Sequence, residues 1–168
     1  SDFILSKIDW IKKHRNKFAE MPKEKDIQYV SGETVVLWGK EFRLEVIEYE
    51  GNRCYGKSGG ILAVDDRLII RVPSSCPKEK RERLVMEWYR DNLKAEIPQL
   101  LNKWQRIIGV KAEEWGVRFM KTRWGTCNIK DRRIWLNLRL AQKPPECLEY
   151  VLVHELVHLL ERRHSHEF

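Results

Sequence analysis

The chain has no apolar run approaching the roughly eighteen residues that a membrane-crossing helix needs. No membrane partner is therefore expected. Its opening, "SDFILSKIDWIKKHRNKF", is amphipathic and charged, without the apolar core or small-residue cleavage site of a secretory signal. It begins with Ser rather than Met, so a natural start upstream is compatible with it. Its four cysteines, Cys54, Cys76, Cys127 and Cys147, form no CxxC pair, which argues against a cysteine zinc site and demands no disulfide framework. Reduced thiols and a cytoplasmic location are the expectation. The stretch "GKSGG" lacks the strand–loop–helix setting and the Lys-Ser/Thr ending of a phosphate loop, and is expected to be a turn. There are no internal repeats and no low-complexity linker. Histidine is scarce too, with five in all, yet four of them fall in the last fifteen residues.

What is present suits a globular protein. The chain has 168 residues, 42% hydrophobic and 34% charged, enough for one domain or one domain with a small appendage. Seven Trp, five Tyr and five Phe oppose disorder. The net charge is +7, with basic clusters "KIDWIKKHRNK", "KEKRER" and "KDRR". A surplus of this kind attracts nucleic acid or acidic partners. The plainer reading is a solvated positive surface, because no aromatic–basic nucleic-acid motif accompanies it.

Apolar residues Phe3, Ile4, Ile8, Ile11 and Phe18 predict a helix over 3–20, ended by Met21-Pro22. Strand texture follows from 28 to 73. "ETVVLWGKEFRLEVIEYEGN" predicts a hairpin turning at Gly39-Lys40, and "ILAVDDRLIIRVP" one turning at Asp65-Asp66. A long helical pattern starts at Ser75 or Cys76 as cap, with Pro77 in the first turn. Leu84, Trp88, Ile97, Leu101, Trp104 and Ile108 form its apolar stripe, Gly109 suits its end, and Pro98 is expected to kink or split it. "VRFM", "RWGTC" and "IWLNL" predict strands, the last two joined by the turn "IKDR". A final helix is expected to begin at Pro144-Pro145, with Glu146 in its first turn. The natural division is a β-rich part with its leading helix, 1–73, and an α+β part, 74–168.

The last helix contains "HELVH". Residues four apart lie one turn apart on one helix face, so His154 and His158 can aim their rings at one point. Zinc accepts imidazole nitrogen at roughly 2.0–2.1 Å. Glu155 projects beside that face, where its carboxylate can bond a water without being a ligand. Apolar neighbours such as Val151, Leu152, Leu156 and Val157 make an unpartnered carboxylate costly there. The competing reading is that all three are structurally hydrogen-bonded core groups. A helix ending near Leu160–Arg162 would let the chain turn back and bring His164 in as third ligand, leaving a fourth position open as a catalytic zinc needs. The spacing HExxHxxxxxH matches the metzincin pattern, except that Glu161 stands where that pattern has Gly. Glu161 and His166 compete with His164 for the third place.

Four motifs occur in order: "RWGTC" (123–127), "IWLNLRLAQKP" (134–144), "YVLVHELVHLL" (150–160) and "HSHEF" (164–168). On these the chain resembles the YgjP-like group of small bacterial metallopeptidases, relatives of the SprT and WLM proteases. The resemblance implies an α+β, zincin-like fold, a small antiparallel sheet packed on helices with the HExxH helix across the active site. It implies one zinc per chain on His154, His158 and His164, with Glu155 as catalytic base. It implies that a strand near Arg123–Cys127 lines the cleft, where an extended peptide can pair with its edge. It also implies a further helix beyond Phe168.

The expected activity is hydrolysis of peptide bonds in a protein or peptide substrate, with Glu155 moving the proton. Arg123, Tyr150 and His166 are candidate oxyanion donors. Tyr150 shares the metal face one turn before His154, though an ordinary core aromatic is the plainer reading. Trp124 and Gly125 either wall the cleft or pack on the helix. Cys127 is expected to be a buried thiol. Two rivals stand beside this reading: a hydrolase of a non-peptide amide or ester, and a nucleic-acid-associated module with structural zinc.

Overall fold

The computed structural model describes residues 27–51 and 60–162. The expected helix over 3–20, Cys54, His164, His166 and, apart from Gly60, the "GKSGG" turn lie outside the described residues.

Strand β1 (Thr34–Leu37) and strand β2 (Lys40–Tyr49) form an antiparallel hairpin. Lys40 already pairs with Leu37, so the loop is Trp38-Gly39, one residue earlier than expected. Both loop residues have positive φ, 53° and 78°. This is the combination that matches a two-residue loop to the twist of its strands, and glycine supplies it without strain. Strand β3 (Ile61–Val64) and strand β4 (Arg67–Pro73) form the second hairpin, with Asp65-Asp66 at its bend as expected. Strand β4 also lies parallel to β2, giving the order β1-β2-β4-β3. Alternate residues Phe42 and Leu44 of β2, and Leu68, Ile70 and Val72 of β4, are buried, which gives this sheet one core face.

Helix α1 (Lys78–Ile108) crosses that face, with Trp88 edge-on to Phe42 at a centroid distance of 5.9 Å. Leu84, Val85, Tyr89, Leu93, Ile97 and Leu101 form its buried stripe. Trp88, Trp104 and Ile108, expected within the stripe, lie half-buried along its margins. The cap is Pro77, without a side-chain bond, rather than Ser75 or Cys76. The Arg81 guanidinium instead ties the helix start to the incoming chain, donating to the carbonyls of Tyr29 at 2.9 Å and Cys76 at 2.5 Å. Of the kink or split expected at Pro98, the split does not occur: the helix runs unbroken. Pro98 and Lys94, whose carbonyl loses its helical donor to the proline, are both exposed, so water can serve that carbonyl. Gly109 ends the helix in the left-handed region, its N–H donating to the Gln105 carbonyl at 3.0 Å.

A second sheet follows: β5 (Glu114–Arg118), β6 (Gly125–Asn128) and β7 (Arg133–Asn137), in the order β5-β7-β6. Strand β7 is parallel to β5 and antiparallel to β6. The architecture is thus α+β with two small mixed sheets, not one antiparallel sheet. Hairpin signals identify sequence neighbours, but they do not reveal which second strand each hairpin arm will take.

A 3-10 turn (Leu138–Gln142) leads into helix α2 (Pro145–Val157), which begins at the two prolines with Glu146 in the first turn. Leu148, Leu152 and Leu156 of α2 are buried with Ile134 and Leu136 of β7. Glu149 fastens α2 to α1, accepting from Lys103 at 2.6 Å and from the Trp104 indole at 2.7 Å. The first hairpin also reaches this region: the Trp38 N–H donates to the Ala141 carbonyl at 2.7 Å. Among the described residues no helix is long and apolar enough to cross a membrane.

Candidate metallopeptidase site

Helix α2 carries His154 and Glu155, and His158 is its C-cap, still in the helical region at φ −61° and ψ −17°. The helix therefore ends at Val157, earlier than the Leu160–Arg162 expected. The next residues tighten, with Leu159 donating to Leu156 and Leu160 to Val157 three residues back. The helical geometry at His158 keeps the two histidines together: their ring centroids are 4.9 Å apart, edge to face. The Nδ1 of His158 lies 3.2 Å from the Glu161 main-chain oxygen. A carbonyl accepts only, so that nitrogen carries the proton and the ring's lone pair sits on Nε2. Tyr150 stacks obliquely one turn before, its ring 6.0 Å from that of His154.

Glu155 is 6% exposed, the one buried charged side chain among the described residues. Burial pushes its carboxyl up to about 7, against a smaller downward pull from the Arg123 guanidinium. It lies against β6 at Gly125. A Cβ at that position would come within 2.6 Å of Glu155 Oε1, 2.7 Å of its Cγ and 2.8 Å of Val151 Cγ1. Glycine is required here by close approach. Gly125 thus belongs to the seat of Glu155.

Asn137 is the residue that the sequence reading passed over. It is 3% exposed at the end of β7. Its Nδ2 donates to the carbonyls of Met120 at 2.8 Å and Arg123 at 2.6 Å, and its main-chain N–H donates to Trp124 at 2.9 Å. These bonds hold the 120–124 loop in place. Strand β6 begins at Gly125 and not at Arg123 as expected, and the Arg123 carbonyl is taken by the Asn137 side chain. The signals were a polar residue between Leu136 and Leu138 and its place in the "IWLNLRLAQKP" motif.

Trp124 is half-buried against the core, with the Lys143 ammonium 5.7 Å above its ring. Arg123 is exposed at the mouth of β6. Cys127 is half-buried rather than buried, and desolvation together with the nearby Glu155 raises its thiol to about 11.

Among the described residues no three His, Cys, Asp or Glu side chains gather as a metal site. Glu161 therefore does not complete one with His154 and His158, and its observed part is the main-chain bond to His158. The two adjacent imidazoles, one with its tautomer set by a carbonyl, are donors of the type zinc takes. A family model described as YgjP-like, metallopeptidase domain, matches residues 1–168. No curated protein and no solved structure matches the chain.

Proposed function

We propose, from the premise that this chain belongs to the YgjP-like family of metallopeptidase domains, that it is a zinc-dependent peptidase with a zincin-like active site between α2 and β6. His154, His158 and His164 are the ligands of one zinc per chain, and Glu155 is the general base. The observation that carries this reading is the buried Glu155 carboxyl, seated against Gly125 on the helix that carries the two histidines. A carboxylate held there can reach a water on the metal face without being a ligand.

Zinc, when bound, supplies Lewis-acid polarisation of the scissile carbonyl and a lowered pKa for the attacking water. The remaining work falls to this chain. Glu155 takes a proton from that water on a carboxylate oxygen and passes it to the leaving amine. Strand β6 has a partner on one side only among the described residues, so an extended substrate can pair with its other edge. Arg123, in the loop before that strand, and Tyr150, beside His154, are the candidates to steady the oxyanion, with His166 a third. Residues 74–168 carry the reaction, and 1–73 buttress it through contacts such as Trp38 to Ala141. Cys76, Cys127 and Cys147 are free thiols, in keeping with a cytoplasmic location.

The test is elemental analysis of the wild type beside His164→Ala, followed by a peptide-hydrolysis screen with Glu155→Ala as the inactive control. One zinc per wild-type chain, weakened in the variant, with hydrolysis lost on Glu155→Ala, is expected. Wild-type protein that takes up no zinc after reconstitution would sink the reading.

A further inference from the structure

We infer that the cleft beside this site selects peptides that carry acidic side chains near the scissile bond. The inference rests on the peptidase reading above and adds the substrate class to it. An open cleft of about 950 Å³ wraps from the β6 edge onto the outward face of the second sheet. Arg118, Arg123, Lys130, Arg133 and Arg162 line it, and among the described residues no Asp or Glu does. They come from five places in the chain: the end of β5, the loop before β6, the β6–β7 turn, β7 and the segment after α2. Neighbouring acids offset the group only in part. Asp131 and Glu114 both pair with Arg133. Arg118 lies over the Trp135 ring at 5.1 Å. Arg123, Lys130 and Arg162 form no ion pair among the described residues.

The cleft therefore presents concentrated positive charge along a strand edge with hydrogen-bonding groups to offer. That pairing fits an extended acidic peptide, whose backbone joins β6 while its carboxylates meet the cations. It fits nucleic acid less well. A strand-tracking groove uses a series of aromatic platforms, whereas among the described residues Trp135 is the one aromatic lining this cleft and Arg118 covers it.

The experiment is fluorescence anisotropy on zinc-reconstituted Glu155→Gln protein, so that bound peptides are not cut. The probes are labelled peptides of one length, Asp-rich, neutral and Lys-rich, and an oligothymidine of the same charge as the Asp-rich peptide. The Asp-rich peptide should bind about tenfold tighter than the neutral one at low salt, and the gap should close as salt screens it. Lys130→Glu combined with Arg162→Glu should abolish the preference; both positions are exposed, so folding should survive. Lys94→Glu on the exposed face of α1 should leave it unchanged. Equal affinity for Asp-rich and neutral peptides overturns the inference, and so does tighter binding of the oligothymidine. Wild-type hydrolysis is followed in parallel on the same peptides. Acidic-peptide binding with no hydrolysis of any peptide keeps the binding site and overturns the peptidase reading. Hydrolysis without charge preference does the reverse.

Discussion

The two sheets are built from the same parts, hairpins extended by one parallel pairing, yet they use them differently. In the first sheet Leu68, Ile70 and Val72 alternate strictly and are fully buried. In the second, the positions that face the core include Gly125, which has no side chain, and β7 ends on Asn137, which is polar and buried. The regular sheet is a support. The irregular one gives up apolar packing in order to seat a carboxyl and hold a loop. In the proposed function, departures from the simple pattern are where the chemistry is concentrated.

Four measurements test that contrast, the largest expected effect first. Glu155→Gln should lower peptide hydrolysis by about 10²- to 10⁴-fold while the protein stays folded, because the amide keeps the shape and removes a costly buried charge. Activity within tenfold of wild type would remove Glu155 as base. In the regular sheet, Ile70→Ala should cost about 2–5 kcal/mol of stability, read by denaturant unfolding. Hydrolysis per folded molecule should hardly change, and a large fall would mean that the first sheet is more than a support. Asn137→Ala and Gly125→Ala should each cost about 1–3 kcal/mol and, unlike Ile70→Ala, should also depress activity per folded molecule. If either variant loses stability alone, the distinction between the sheets fails. The smallest effect is chemical. Burial, with a lesser push from Glu146, raises the Cys147 thiol at the start of α2 to about 11. Its folded pKa lies above that of the unfolded chain, so the contribution to stability is complete below about 9 and is lost as pH rises towards 11. Alkylation of Cys147 in the folded protein at pH 8 should be slow and should accelerate through the alkaline range. Rapid labelling at pH 8 would show that the α2 start opens easily.

Much of this was legible from local signals. The Asp65-Asp66 bend, the Gly109 cap, the proline start of α2 and the paired histidines each depend on a few adjacent residues, and the structure contains them all. The misses have a common cause. The parallel pairings β2–β4 and β5–β7 join strands that are not sequence neighbours. The fit of Glu155 on Gly125 joins positions thirty residues apart. Pro98 looks like a helix breaker until the exposure of Lys94 is known, and Asn137 reads as a lone polar residue until its hydrogen-bond partners are seen. His164 lies outside the described residues, so its place as third ligand still rests on the motif and the family.

The bond from His158 to Glu161 has an evolutionary side. Its acceptor is a main-chain oxygen, which every amino acid brings with it. Position 161 can be changed to any residue that keeps this turn without deleting the contact to the imidazole. The ring's alignment is inherited through the path of the backbone rather than through the identity of a neighbour, and a comparison of letters alone would overlook it.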